Sequence, residues 1–113
     1  MENCLFCKIA SKAINSDCIY EDELVFAFND IDPKAPVHFL VIPKEHIGSM
    51  AEITPENSKY VARSFEVIAE LAGKLSLMGG FRVVSNCGVD AGQSAAHLHF
   101  HVLAGREMAW PPG

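Results

Sequence analysis

The sequence predicts an α+β fold, an antiparallel sheet of about five strands with one long helix to one side and a short helix at the start. Three observations carry this. Apolar runs of strand length follow one another across short polar turns. One long stretch repeats its apolar residues at helical spacing. Near the end, His97, His99 and His101 alternate with apolar residues. In a strand, alternate side chains share a face, so the three imidazoles are expected on one side while Leu98, Phe100 and Val102 enter a core.

The 113 residues, 1–113, are read as one domain, since no linker, repeat or low-complexity segment divides them. A hydrophobic share of 50 % with 20 % charged residues is that of a globular chain. The formal charge of −5 and the lack of any basic run argue against a nucleic-acid polymer as partner. No apolar run reaches membrane-spanning length, and no charged leader precedes an apolar stretch, so a cytoplasmic protein is expected. In that compartment Cys4, Cys7, Cys18 and Cys87 are free thiols rather than a disulfide framework.

Taken in order, Asn3 is a helix N-cap candidate, with Leu5, Phe6 and Ile9 forming the apolar side of a short helix. Cys4-x-x-Cys7 within it suits a redox pair, half a zinc site or two buried small residues. Residues 18–21 and 24–28 read as strands joined by the acidic turn Glu21-Asp22-Glu23. Two aspartates and two prolines make residues 29–36 a loop. Residues 37–42 form a nearly all-apolar, central strand in which His38 is the one polar side chain. Thr54-Pro55 starts the long helix as N-cap and first residue, Val61, Phe65, Ile68, Ala72 and Leu75 are its buried stripe, and Gly79-Gly80 stops it. Residues 81–85 are the fourth strand, and a glycine-bearing polar loop then leads into the histidine strand. The tail after Gly105 cannot extend the sheet through its prolines, and Trp110 is expected to bury its ring in a groove or a second subunit.

Two chemistries suit the imidazole row: a metal site, or nucleophilic attack at phosphorus with neighbouring imidazoles handling charge and protons. The preceding loop favours the second. Gly92, Gln93 and Ser94 offer N–H groups and a hydroxyl to an anionic oxygen. Asp30 suits ribose hydroxyls, and Phe6, Ile9, Phe28 and Ile31 could enclose a base.

The run His97-x-His99-x-His101-Val102-Leu103 resembles the histidine triad (HIT) family. The segment from Asp30-Ile31-x-Pro33 through His38-Phe39-Leu40-Val41-Ile42-Pro43-Lys44-x-His46-Ile47 is similar to the N-terminal half of those proteins. Asn86, Gly92-Gln93-Ser94 and the ending Trp110-Pro111-Pro112-Gly113 resemble its nucleoside phosphoramidase (Hint-like) branch. The resemblance implies a homodimer with one continuous sheet that hydrolyses nucleoside 5′-phosphoramidates of purine nucleotides (AMP or GMP joined to an amine). His99 is then the nucleophile that becomes a nucleotidyl-histidine, His101 binds phosphate and assists proton transfer, and His38 supports them. Asn86, Gly92 and Ser94 hold the phosphate, Asp30 and Ile31 the nucleoside, and Trp110 in the tail of about residues 105–113 reaches the partner subunit's site. Catalysis needs no cofactor. Some relatives bind structural zinc through two cysteines and two histidines, which here implies Cys4, Cys7, His46 and His97, while Cys18 and Cys87 have packing or incidental roles. Dinucleoside polyphosphate hydrolysis and regulatory nucleotide binding are the two alternative functions.

Overall fold

The strand Val37–Pro43 lies at the centre of the sheet because nearly every side chain in it is apolar and both of its faces are covered. In the computed structural model, which describes residues 3–113, the strands are β1 (Cys18–Glu21), β2 (Val25–Asn29), β3 (Val37–Pro43), β4 (Phe81–Val84) and β5 (Phe100–Ala104). Their order is β1-β2-β3-β5-β4, and every neighbouring pair is antiparallel. The helices are α1 (Leu5–Ala10) and α2 (Ser58–Lys74), with a 3₁₀ turn at Met50–Glu52 between β3 and α2. The expected α+β architecture is therefore present, with five strands, one long helix and one short one.

Register assigns the faces. Phe28 pairs with Leu40, Leu40 with His101 and His101 with Val84, so these four point to one side. Ala27, Val41 and Phe100 are likewise aligned on the opposite side. On that side Val67, Ile68 and Leu71 of α2 pack over Val25, Val41, Leu98 and Val102. On the histidine side, Phe6, Ile9 and Ala10 of α1 pack against Phe26, Phe28, Leu40 and Ile42. Two ion-pair clusters tie the elements together. Arg63 of α2 reaches Asp22 in the β1–β2 turn and the Tyr20 hydroxyl, both at 2.7 Å, while Lys12 and Lys44 share Glu21.

Several local expectations need correction. The N-cap of α1 is Cys4, not Asn3, and its Sγ accepts the Cys7 N–H at 3.2 Å. The long helix begins at Ser58. Thr54 and Pro55 instead form a separate turn in which Asn57 Oδ1 takes the Thr54 N–H and the Thr54 carbonyl accepts from Asn57 and Ser58. It ends at Lys74, before the glycine pair. Ser76 adopts φ +56, and the Leu77 N–H closes onto the Ala72 carbonyl in a Schellman-type cap. The buried stripe is Ser64, Val67, Ile68 and Leu71, whereas Phe65 and Leu75 are about half exposed. Ser64 can occupy that stripe because its hydroxyl donates back to the Tyr60 carbonyl. Finally, β5 begins only at Phe100, so His97 lies in a bend and His99 in the irregular lead-in rather than in the ladder. Both are nonetheless buried.

Candidate active site

Hydrogen bonds to the backbone fix what each ring nitrogen of the histidine row can do. His99 Nδ1 lies 2.7 Å from the His97 carbonyl oxygen. A carbonyl only accepts, so the proton sits on Nδ1 and Nε2 keeps a free lone pair. His38 is the reverse case. The Lys34 N–H donates to its Nδ1 at 3.0 Å, leaving the proton on Nε2, which faces His101 Nδ1 at 2.9 Å. His101 Nδ1 therefore accepts, and its own proton lies on Nε2. The row presents one lone pair, on His99, beside one donor, on His101, with ring centres 5.0 Å apart. Burial first, then the neighbouring His99 and His38, push His101 down to about 4, against the opposing pull of Asp30. It is thus neutral near pH 7. The Asp30 carboxylate lies 3.4 Å from His38 Nε2 and 4.0 Å from His101 Nδ1, so it serves the imidazole pair in addition to facing the cavity.

His99 and His101 open into a cavity of about 270 Å³ whose opposite wall is Phe6 and Ile9 of α1 with Phe28 of β2. Phe6 meets the His99 ring edge-on at 5.1 Å. Asp30, Ile31 and Ser94 stand at its rim. Leu5, Ile14, Asn15, Ser16 and Leu40 also line it and were missed in the sequence. Ile14 to Ser16 lie in an irregular connection with no periodic signal, and Leu40 reads as ordinary strand core.

His97 turns away from this cavity. Its Nε2–H donates to the Pro43 carbonyl at 2.9 Å, which leaves the Nδ1 lone pair 3.2 Å from Cys4 Sγ and 3.4 Å from Cys7 Sγ. His46 Nδ1 is 3.2 Å from Cys7 Sγ. All four ligand atoms fall within 4.8 Å of one another. In a tetrahedral zinc site, Zn–S of about 2.3 Å and Zn–N of about 2.0–2.1 Å place neighbouring S and N atoms roughly 3.6 Å apart. The donor set, the spacing and the outer hydrogen bond to Pro43 all fit a tetrahedral cation. Burial and the adjacent Cys4 push the Cys7 thiol up, so Cys7 holds its proton unless a cation displaces it.

Comparison with known proteins gives the family. The family profile described as scavenger mRNA decapping enzyme C-term binding matches residues 3–110. A HIT-like protein of Synechococcus elongatus is 43 % identical over 112 residues, covering 99 % of this chain and 98 % of that protein. The crystal structure of a HIT family hydrolase from Legionella pneumophila is 42 % identical, with TM-score 0.95 over 98 % of this chain and 100 % of the other. A histidine triad protein from Clostridium difficile is 44 % identical, with TM-score 0.93 over 96 % of each chain. The chain belongs to the histidine triad family.

As a HIT protein it places the expected residues unevenly. Phe6, Ile9, Phe28, Asp30, Ile31, Ser94, His99 and His101 share the cavity, and His38 stands behind His101. In the loop before the histidines, the Gly92 N–H is spent on the Val89 carbonyl and the Gln93 N–H on the Gly88 carbonyl. Of the three expected donors, Ser94 is thus the one whose N–H has no partner within the loop. The Gln93 side chain is a strut: Oε1 accepts the Gly88 N–H, and Nε2 donates to the Gly48 and Ala95 carbonyls. Asn86 lies in the same loop outside the cavity lining, and Trp110 is 81 % exposed on its own chain. Cys18 and Cys87 are exposed, which removes a packing role for either. Among the described residues, no helix is long and apolar enough to cross a membrane.

Proposed function

We propose that this HIT protein hydrolyses nucleoside 5′-phosphoramidates in the cytoplasm, releasing a nucleoside monophosphate and an amine. The observation that supports it most is the paired tautomer state, a free Nε2 lone pair on His99 next to an Nε2–H on His101 in a cavity with an apolar wall. His99 Nε2 attacks the α-phosphorus and the P–N bond to the amine breaks. The leaving nitrogen, hydrogen-bonded by His101 Nε2–H, departs as the free amine with a proton taken up from solvent, so His101 stays neutral while His99 gains the positive charge of a phosphorylated imidazole. Water then attacks phosphorus, the P–Nε2 bond breaks to restore neutral His99, and the water proton leaves to solvent. Phe6, Ile9 and Phe28 pack on the base and Asp30 with Ile31 holds the nucleoside. Ser94 binds the phosphate, and Asn86, Gly92 and Gln93 build the loop that presents it.

Cys4, Cys7, His46 and His97 are assigned to a structural zinc ion. Bound there, it supplies cross-linking of α1 to the loop after β3 and no chemistry at phosphorus. The chain is further assigned to a homodimer joined along β4, one of the two edge strands of the sheet. Phe81 on β4 and Phe65 on α2 are 42 % and 47 % exposed, leaving an apolar strip beside that edge, and the unburied Trp110 is free to cross to the partner's cavity.

The test is release of AMP from adenosine 5′-phosphoramidate by wild type and His99→Ala, with and without chelator, beside a dinucleoside polyphosphate. Wild-type release that survives chelation and falls at least about a thousandfold in His99→Ala is the expected result. Preference for the polyphosphate would transfer the activity to that class, and no turnover of either would leave a nucleotide-binding protein.

A further inference from the structure

The proton on His101 Nε2 is set by a chain of contacts that starts at the surface. Arg106, just beyond β5, donates from Nε and Nη2 to the Lys34 carbonyl at 3.2 and 3.1 Å. The N–H of the same residue, Lys34, is the donor to His38 Nδ1, and His38 Nε2 in turn meets His101 Nδ1. Lys34 is otherwise held only weakly. Its ammonium pairs with Asp32, but that pair is mostly exposed and contributes little. The tail is itself seated firmly on this loop. Gly105 has φ +91, and a Cβ there would come within 2.8 Å of Pro36 Cβ, so the chain passes too close for any larger residue.

We propose that Arg106 is a positioning residue, whose two-pronged grip on the Lys34 carbonyl keeps the Lys34 N–H on His38 Nδ1 and so holds both His38 and His101 in the Nε2–H form. An arginine suits this because its planar fork gives two donors in fixed geometry, where a lysine gives a point charge. If the Lys34 N–H swings away, His38 Nδ1 is free to carry the proton. His38 Nε2 then becomes an acceptor, and His101 must turn its own proton inward to Nδ1. A lone pair would then face the leaving nitrogen where a donor is needed. The effect on turnover rests on the phosphoramidase reading, whereas the tautomer assignment stands apart from it.

Long-range ¹H–¹⁵N spectra of the imidazole nitrogens in the full chain read the tautomers directly. They are to be recorded for wild type, Arg106→Gln and Arg106→Lys, alongside AMP binding and steady-state AMP release. The expected result is Nε2–H on His38 and His101 in wild type and mixed tautomers in Arg106→Gln. In that variant kcat falls by roughly tenfold while KM and AMP affinity hold; Arg106→Lys, with fewer donors on Lys34, lies between. Wild-type His38 protonated on Nδ1, or Arg106→Gln with wild-type tautomers, overturns the proposal whatever the rates. Should Arg106→Gln fail to fold, the spectrum of Arg106→Lys decides in the same way. A wild type that releases no AMP would end the phosphoramidase reading, and the spectra would still decide the role of Arg106.

Discussion

His97 holds His99 through its carbonyl oxygen, which accepts the His99 Nδ1–H at 2.7 Å, while its own ring nitrogen Nδ1 lies among the Cys4 and Cys7 sulfurs. One residue thus belongs to two sites, so the position of the imidazole assigned as nucleophile depends on how firmly the cysteine–histidine cluster is closed. The wall of the cavity shares that dependence, because Cys4 and Cys7 bracket Phe6 on the same short helix.

Protein purified without chelator should therefore carry about one zinc per chain. Stripping it at neutral pH should lower the Tm by roughly 8–15 °C, corresponding to at least about 2 kcal/mol. Turnover should slow without a comparable change in the chemistry's dependence on His99. Cys4→Ser should reproduce the loss, and chelator should add nothing further to it. Metal analysis and thermal unfolding make the check: well under one zinc per chain, or a Tm indifferent to chelator, would remove the metal from the account.

Gln93 should behave as a strut rather than a ligand. Gln93→Ala removes bonds to Gly88, Gly48 and Ala95, each contributing on the order of 1 kcal/mol. The loop should then present Ser94 less firmly, raising KM severalfold while a covalent nucleotidyl-His99 still forms. Direct contact with the nucleotide would instead show as a larger loss of AMP affinity than Ser94→Ala causes, measured by calorimetry.

Much of this arrangement was legible because it rests on short-range rules. The alternation of Leu98, Phe100 and Val102 gave the buried face of β5 and its lead-in, and the Glu21-Asp22-Glu23 turn gave the β1–β2 hairpin, where Asp22 Oδ1 takes the Leu24 and Val25 N–H groups. What sequence spacing missed depends on tertiary partners. Asn57, rather than Thr54, borders α2 because its side chain is committed to the preceding turn. The α2 stripe is rotated because Ser64 satisfies its hydroxyl within the helix. Gly92 and Gln93 look like donors to an anion in the sequence, yet their N–H groups close the loop itself. The division of labour among the histidines was invisible to spacing, since it follows from which backbone groups face each ring.

The β4 edge offers a test of the assembly. Phe81→Glu places a charge at the half-exposed end of β4, and like charges from two copies would then oppose the proposed contact. The variant is expected to run as a monomer in size-exclusion chromatography with light scattering, with an unchanged fold. Its turnover should drop as far as that of Trp110→Ala, because both remove the partner's ring from the cavity. A monomeric wild type, or a Phe81→Glu dimer as stable as wild type, would place the interface elsewhere or abolish it.

Acid should expose the cost of keeping His101 neutral. Its ordinary value of 6.5 is lowered to about 4 in the fold, chiefly by burial. The unfolded chain therefore takes up this proton first as pH falls. The associated stability is fully present above about 6.5, drains away between 6.5 and about 4, and changes no further below that. At about 1.4 kcal/mol per pKa unit, the loss amounts to at most about 3 kcal/mol, and the side chain is 21 % exposed, which makes solvent screening modest. Urea unfolding at pH 7 and pH 4 for wild type and His101→Gln isolates it, since every other acid-labile group, the cysteine–histidine cluster included, is common to both. The variant should lose less stability than wild type across this window. Parallel losses would show that His101 already carries its proton differently from what its buried setting beside His99 and His38 requires.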